Sequence, residues 1–322
     1  MPKKILFIHE YDDWKNETPG IDGVYNLKGY EVFSELAIEN NAQIYRSFYK
    51  NINPDTALIS KVWTFIQGQW QKQEVNFTPD LIIDRTPASY VNSTLEFRLK
   101  LSQNVKILND PNFSTLIADK YNQYLLFKDL MRQTSYIKNY KQLINEMSLY
   151  GSKIVLKDLS GEGGKGVLIL EKNKVSIDFA QNLQYPLILQ DFLQSEKGIP
   201  GINIVKSDDI IVADLRIMTI GRKIMFAVSR IAKKNSLYTN LAQGAIFEKV
   251  DIIPEYCILA VNKITEKLND FGANILGIDF MFDNEGNSFL IEINSKPGLS
   301  ANLIVSKDIQ KNYLDQILQE LN

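Results

Sequence analysis

The sequence predicts an α/β protein in three parts: an open, mainly parallel sheet, then a small strand–loop–strand unit, then a strand-rich end. Three observations carry this. Over the first hundred residues, short apolar runs alternate with amphipathic stretches, the pattern of strands and helices in an open sheet. Four glycines crowd residues 161–166 between two strand-like runs. Near the end, FLIEIN at residues 289–294 reads as a buried strand that carries an acid and an amide on one side, because alternate strand residues share a face.

In chain order, residues 4–9 form a strand, residues 32–37 lie on an amphipathic helix, and residues 42–48 are again a strand. A helix is expected over residues 54–70, a strand over 81–84, a helix over 94–101 and a strand over 105–108. Asn109-Asp110-Pro111 breaks the alternation and marks a boundary. A helix follows over 119–131, then strands at 153–157 and 167–171 flank the glycine loop. The last part has strands at 187–192, 210–219, 223–230, 276–282 and 288–294, interrupted by a helix over 254–271 and closed by another. The expected division is 1–108, 109–187 and 188–322.

Composition narrows the chemistry. Hydrophobic residues make up 45% and charged residues 23%, as in ordinary globular chains. A net charge of -2 argues against a nucleic-acid partner, and no apolar run is long enough for a membrane span. Cys257 is the only cysteine, which fits a cytoplasmic setting. His9 is the only histidine, so a Cys/His zinc cluster is not available and a histidine-based triad has a single candidate. At the end of the first strand His9 is structural or lines a substrate site, and Glu10 and Arg85 occupy similar strand ends, where open sheets gather ligands. Arg85 either binds a substrate carboxylate or caps neighbouring helices.

The loop Gly161-Glu162-Gly163-Gly164-Lys165-Gly166 matches GxGxxG, but a strand follows it where a dinucleotide site needs a helix. A phosphate-binding P-loop needs Ser or Thr after the lysine, and here Gly166 follows. A strand–glycine loop–strand is a flap whose amides can close over phosphates. The alternative is a flexible hairpin turn.

The flap has a possible counterpart in an acidic hairpin. A two-residue turn at Glu285-Gly286 pairs Asn284 with Asn287 and sets Asp279 opposite Glu292 and Gly277 opposite Asn294. Two adjacent carboxylates repel unless a cation lies between them or one is protonated. Hard oxygen donors without histidine or thiolate suit Mg²⁺. The alternative is a solvated sheet face, which the apolar flanks argue against.

Taken in order, the motifs NDPNFSTLIADKY, IVLKDLSGEGGKGV, LILQDFL, ADLR, AVSR, TNLAQGA, GIDFMFD and FLIEINSKPG resemble an ATP-grasp ligase of the RimK-type and glutathione synthetase group, over roughly residues 109–302. The resemblance implies the ATP-grasp fold: an N-terminal open α/β sheet, a small α+β lid, and a C-terminal antiparallel sheet with helices. It implies ATP and two Mg²⁺, with Mn²⁺ as a substitute. Lys120 and Lys157 would bind phosphates, under a loop of Ser160, Gly161, Gly163, Gly164 and Gly166. Main-chain groups of Gln190, Asp191, Phe192 and Leu193 would read adenine, Leu290 would pack under it, and Glu196 would hold the ribose. Residues 198–209 look inserted just after that position. Arg230 and Asn240 would hold the γ-phosphate and reacting centre, while Asp279, Glu292 and Asn294 would ligate the metal. Arg216 would anchor a substrate carboxylate or form a structural ion pair with Asp214 or another acid. Ser295 and Gly298 would border the acceptor site.

The implied reaction joins a carboxylate to an amine through an acyl phosphate, on a small-molecule or peptide substrate, with a homo-oligomer left open. The alternatives are an ATP-grasp macrocyclase acting on a ribosomally made precursor peptide, a phosphotransferase, and a non-catalytic ATP-binding module.

Overall fold

The computed structural model describes residues 1–21, 24–161, 164, 166–202, 211–233, 236–237, 239 and 244–321. Three sheets organise them. The first holds β1 (Lys3–His9), β2 (Ala42–Phe48), β3 (Ile59–Ile66), β4 (Gln69–Phe77), β5 (Leu81–Asp84) and β6 (Ile107–Leu108), in the order β4-β3-β2-β1-β5-β6. Strands β2, β1, β5 and β6 are parallel. Helices α1 (Val24–Glu39) and α2 (Leu95–Ser102) belong to this part.

The helix expected over residues 54–70 is not formed. That stretch is mostly the antiparallel hairpin β3–β4, joined by Gln67 and Gly68, both at positive φ (51° and 77°). Positive φ at both turn residues matches the right-handed twist of the flanking strands. Ile59, Val62, Trp63 and Phe65 are bulky, strand-favouring residues and all are buried. Their spacing also fits a helical period, and pairing with β2 decides for the strand.

Helices α3 (Pro111–Ala118) and α4 (Lys120–Phe127) lead into the second sheet. They meet at Asp119, whose carboxylate caps α4 by accepting the Tyr121 and Asn122 N–H groups. The second sheet contains β7 (Thr134–Ile137), β8 (Lys153–Asp158), β9 (Val167–Glu171) and β10 (Leu187–Asp191), with α5 (Tyr140–Glu146) and α6 (Ile177–Gln181). Its order is β7-β10-β8-β9, antiparallel throughout. It has its own small core, which includes Ile137, Leu143, Ile154 and Leu187.

The third sheet contains β11 (Ala213–Ile220), β12 (Lys223–Ile231), β13 (Ile246–Val250), β14 (Ile275–Phe282) and β15 (Ser288–Asn294), in the order β13-β12-β11-β14-β15. Helices α7 (Glu255–Lys267) and α8 (Lys307–Gln319) complete it. The first and third sheets share a core: Phe7 and Phe33 cluster with Met218, Phe226 and Tyr313. Asn109, at φ 65°, also ties them. Its carboxamide accepts the Ile275 N–H (2.7 Å), donates to the Ile275 carbonyl (3.0 Å) and reaches the Ser295 carbonyl. No helix among the described residues is long and apolar enough to cross a membrane.

Candidate active site

A cavity of about 450 Å³ lies where the second sheet faces the third, with loops of the first at one end. On the side of the second sheet, the α4 cap fixes Lys120 at the helix start, and the Lys120 N–H donates to the Leu159 carbonyl (2.9 Å). Its ammonium contacts the Gly161 carbonyl and stands 3.4 Å from Glu292 Oε1. Lys157 on β8 donates to Gln190 Oε1 (2.7 Å), and Gln190 donates to the Thr134 hydroxyl (2.9 Å). Burial pushes Lys157 down to about 8; Glu292 opposes the shift and Lys120 adds to it.

Gln190, Asp191, Phe192 and Leu193 all line the cavity, as do Gly161 and Gly164. Ser160 and Gly166 do not. Gly166 serves the turn itself: at φ 71°, a Cβ there would fall 1.9 Å from the Asp158 carboxylate. Gly163, Asn240 and most of the 198–209 insertion lie outside the described residues.

On the third sheet, register builds a row of four charges. Asp214 on β11 stands opposite Arg230 on β12, and Arg216 on β11 stands opposite Asp279 on β14. Arg230 grips Asp214 with two bonds (2.6 and 2.7 Å) and reaches Asp279 Oδ2 with a third (2.7 Å). Arg216 grips Asp279 with two (2.7 Å each). The Thr239 hydroxyl closes the row by donating to Asp214. Burial works to raise the Asp279 pKa, and the two guanidiniums outweigh it, holding the carboxyl below its usual range. Gly277 leaves room for this: a Cβ there would lie 3.3 Å from Arg216 Nε.

The expected mutual repulsion of Asp279 and Glu292 is therefore relieved by side chains of the protein. Arginines neutralise Asp279, and Lys120 stands beside Glu292. Arg216 is thus in an ion pair, with Asp279 rather than Asp214.

Asp279 does pair with Glu292, and Gly277 with Asn294, but the hairpin reaches that register differently. The Asp283 N–H donates to the Asn287 carbonyl (3.0 Å), so the turn has three residues, with Gly286 at φ 90°. A bulge between Asp279 and Phe280 on the β14 side then takes up one extra residue of β15, restoring the count. The bulge corrects the place of Leu290. Below it Leu290 pairs with Phe280 and is 1% exposed in the hydrophobic core, while Ile291 and Met281 line the cavity.

At the other end, Arg85 donates to the Pro297 carbonyl (2.7 Å), and Ser295 and Gly298 line the wall beside it. A Cβ on Gly298 would lie 2.5 Å from Asn26 Oδ1. His9 does not line the cavity. It is buried 3.9 Å from Asp13, whose carboxylate also binds Arg46 and the Trp63 indole. Burial and then Arg46 push His9 down to about 3, so it is neutral at physiological pH; neither ring nitrogen makes a hydrogen bond among the described residues, and the ring packs against Tyr11. Glu196 is exposed and away from the cavity; its N–H donates to Asn284 Oδ1 (2.9 Å).

Asp279, Glu292 and Asn294 line the cavity with two carboxylates and one carboxamide oxygen, each of them with a protein partner: Asp279 with both arginines, Glu292 beside Lys120, and Asn294 Oδ1 accepting the Lys296 N–H (2.7 Å). Oxygen-only donors of this kind fit Mg²⁺, which takes one or two carboxylates and completes its shell with phosphate oxygens and water.

A model of the RimK-like ATP-grasp domain matches residues 126–321. The chain belongs to the RimK-like ATP-grasp family. A probable alpha-L-glutamate ligase of Vibrio parahaemolyticus is 29% identical over 171 residues, covering 52% of this chain and 50% of that one. The chain thus spans about half the length of the curated relatives it matches. Solved structures match over nearly the whole length. D-cycloserine synthetase DcsG superposes with TM-score 0.68 at 12% identity, covering 99% of this chain and all of that one. A Chryseobacterium gregarium RiPP-associated ATP-grasp ligase, solved with ADP and a leader and core peptide, gives 0.62 at 16% identity, covering 99% and 97%. These likenesses show the ATP-grasp fold: an N-terminal mixed sheet and two antiparallel sheets.

Several residues of this RimK-like site carried no signal of their own in the sequence. Thr239 matters through Asp214 and so through Arg230, and Arg132 through Asp191, with which it pairs while lying 5.2 Å over the Phe289 ring. Ile291 enters the cavity only because of the bulge. A β-bulge shifts faces without changing composition, so alternation along FLIEIN pointed to Leu290.

Proposed function

We propose that this chain is an ATP-dependent ligase that joins a carboxylate to an amine, passing through an acyl phosphate and releasing ADP and phosphate. One observation carries the reading: Lys120 and Lys157 face Asp279, Glu292 and Asn294 across a single cavity, with Arg216 and Arg230 on its wall. Phosphoryl transfer is catalysed mainly by positioning and by neutralising charge. In this reading Lys120 and Lys157 hold the ATP phosphates. The main chain of Gln190, Asp191, Phe192 and Leu193 reads the base, which rests on Ile291 and Met281. Arg230 faces the transferring phosphoryl group, where its fixed charge favours the transition state. Asp279, Glu292 and Asn294 would hold Mg²⁺, whose contribution is to offset phosphate charge. The substrate carboxylate attacks the γ-phosphorus with loss of ADP; the amine then attacks the acyl carbon, expels phosphate and gives up a proton.

Arg85 borders the end of the cavity beside Pro297 and suits a substrate carboxylate, whereas the Arg216 fork stays on Asp279. The name of the matched relatives points to L-glutamate as one of the two substrates. The test is incubation with ATP, Mg²⁺ and a panel of carboxylates and amines, reading nucleotide by chromatography and product by mass. ADP formed only when both substrates are present is expected; substrate-dependent AMP would sink the assignment.

A precursor peptide is the second reading, because a ligase of the same fold from Chryseobacterium gregarium was solved with a leader and core peptide. Loss of one water from a single peptide would mark internal cross-linking, whereas a gain in mass by one glutamyl residue would mark addition.

A further inference from the structure

β15, which carries Glu292 and Asn294, is the outer strand of its sheet. Alternate peptide groups of an outer strand point away from the sheet and have no strand to pair with. At Ile293, between the two candidate ligands, both groups are taken by one side chain. Gln123 Oε1 accepts the Ile293 N–H (2.8 Å), and Gln123 Nε2 donates to the Ile293 carbonyl (3.0 Å). The same amide also donates to the Ile117 carbonyl at the end of α3 (2.7 Å). Gln123 is 2% exposed. Its carboxamide thus stands in for the peptide unit of a missing neighbour strand.

The place of this clip matters. The bulge lies immediately before Glu292, and bulges interrupt the ladder that would otherwise fix a strand. Gln123 pins the backbone just beyond that interruption. It projects from α4 one turn after Lys120, whose ammonium stands 3.4 Å from Glu292. One capped helix therefore sets both a phosphate-binding lysine and the strand opposite it.

We propose that Gln123 is a positioning residue: through the two Ile293 peptide groups it fixes the spacing of Glu292 and Asn294 as metal ligands. This rests on the reading of that face as a metal site. Groups that orient ligands from behind are commonly worth tenfold or more in metal affinity.

The test uses Gln123→Met, which keeps length and removes both bonds to Ile293 together with the one to Ile117. Mn²⁺ binding to the full chain with a non-hydrolysable ATP analogue is followed by the resonance of free Mn²⁺, and nucleotide binding is measured separately in EDTA. Mn²⁺ affinity is expected to fall about tenfold while metal-free nucleotide affinity changes less than about twofold, and the Ile293 amide should exchange faster with solvent. A variant that melts lower yet binds Mn²⁺ as the parent does would overturn the proposal, leaving Gln123 merely structural. Should the methionine variant not fold, Gln123→Asn, one methylene shorter, carries the same measurements. A parent that binds no Mn²⁺ would overturn the metal reading itself, and this inference with it. Failure of the clip alone appears only in the variants.

Discussion

Lys157 shows most directly how the cleft is poised for an anion. Burial holds its pKa near 8, well under the ordinary lysine value. The sign follows by linkage: between about 8 and 10.5 the unfolded chain binds the extra proton, so the ligand-free protein gains stability as pH rises through that window. Phosphates beside the ammonium reverse the balance by favouring its charged form. Nucleotide binding above pH 8 should therefore take up a proton at Lys157, and affinity should weaken as pH climbs. Calorimetry at pH 8.5 in buffers of different ionisation enthalpy measures this uptake, and Lys157→Met should abolish it. Lysines, arginines and paired acids were legible in the sequence because each stood in a recognisable strand or loop setting. Gln123 and Arg132 were not, because what makes them matter is the partner that folding brings from 59 to 170 residues away.

β15 separates what a strand's pattern tells from what its ladder decides. The register of Asp279 against Glu292 was legible, yet it arises from a three-residue turn and a bulge that cancel each other. On the stretch before the bulge the face assignment inverts, and a paired substitution reads this out. Leu290→Ala should cost about 2–5 kcal/mol of stability, as for other buried leucines, and leave nucleotide affinity nearly unchanged. Ile291→Ala should weaken nucleotide binding severalfold with a smaller loss of stability. Denaturant melts beside nucleotide titrations check both, and the opposite assignment would return Leu290 to the base site. The β3–β4 hairpin replaces the expected helix for a related reason: its strand residues also fit a helical period, and the Gln67-Gly68 turn shows itself only in the fold.

Across the whole molecule, the three sheets are not equally tied. The first and third share a core and the Asn109 clip, whereas the second has a separate, smaller core. Elements with few shared apolar contacts open most readily. Without ligand, amide exchange should be faster in β8, β9 and β10 than in β11 and β14, and an ATP analogue with Mg²⁺ should slow the former group most. Equal protection in all three sheets, unchanged by nucleotide, would contradict this. The shared core also limits where the chain can be cut. The family match covers residues 126–321, and Lys120, Gln123 and the whole first sheet precede it. A fragment starting at residue 126 would keep the paired arginines and acids of the third sheet but lose Lys120, the Gln123 clip on β15, and the cover that Phe7 and Phe33 give Phe226 and Tyr313. Expressed alone, such a fragment should expose that apolar face and aggregate where the full chain stays dispersed.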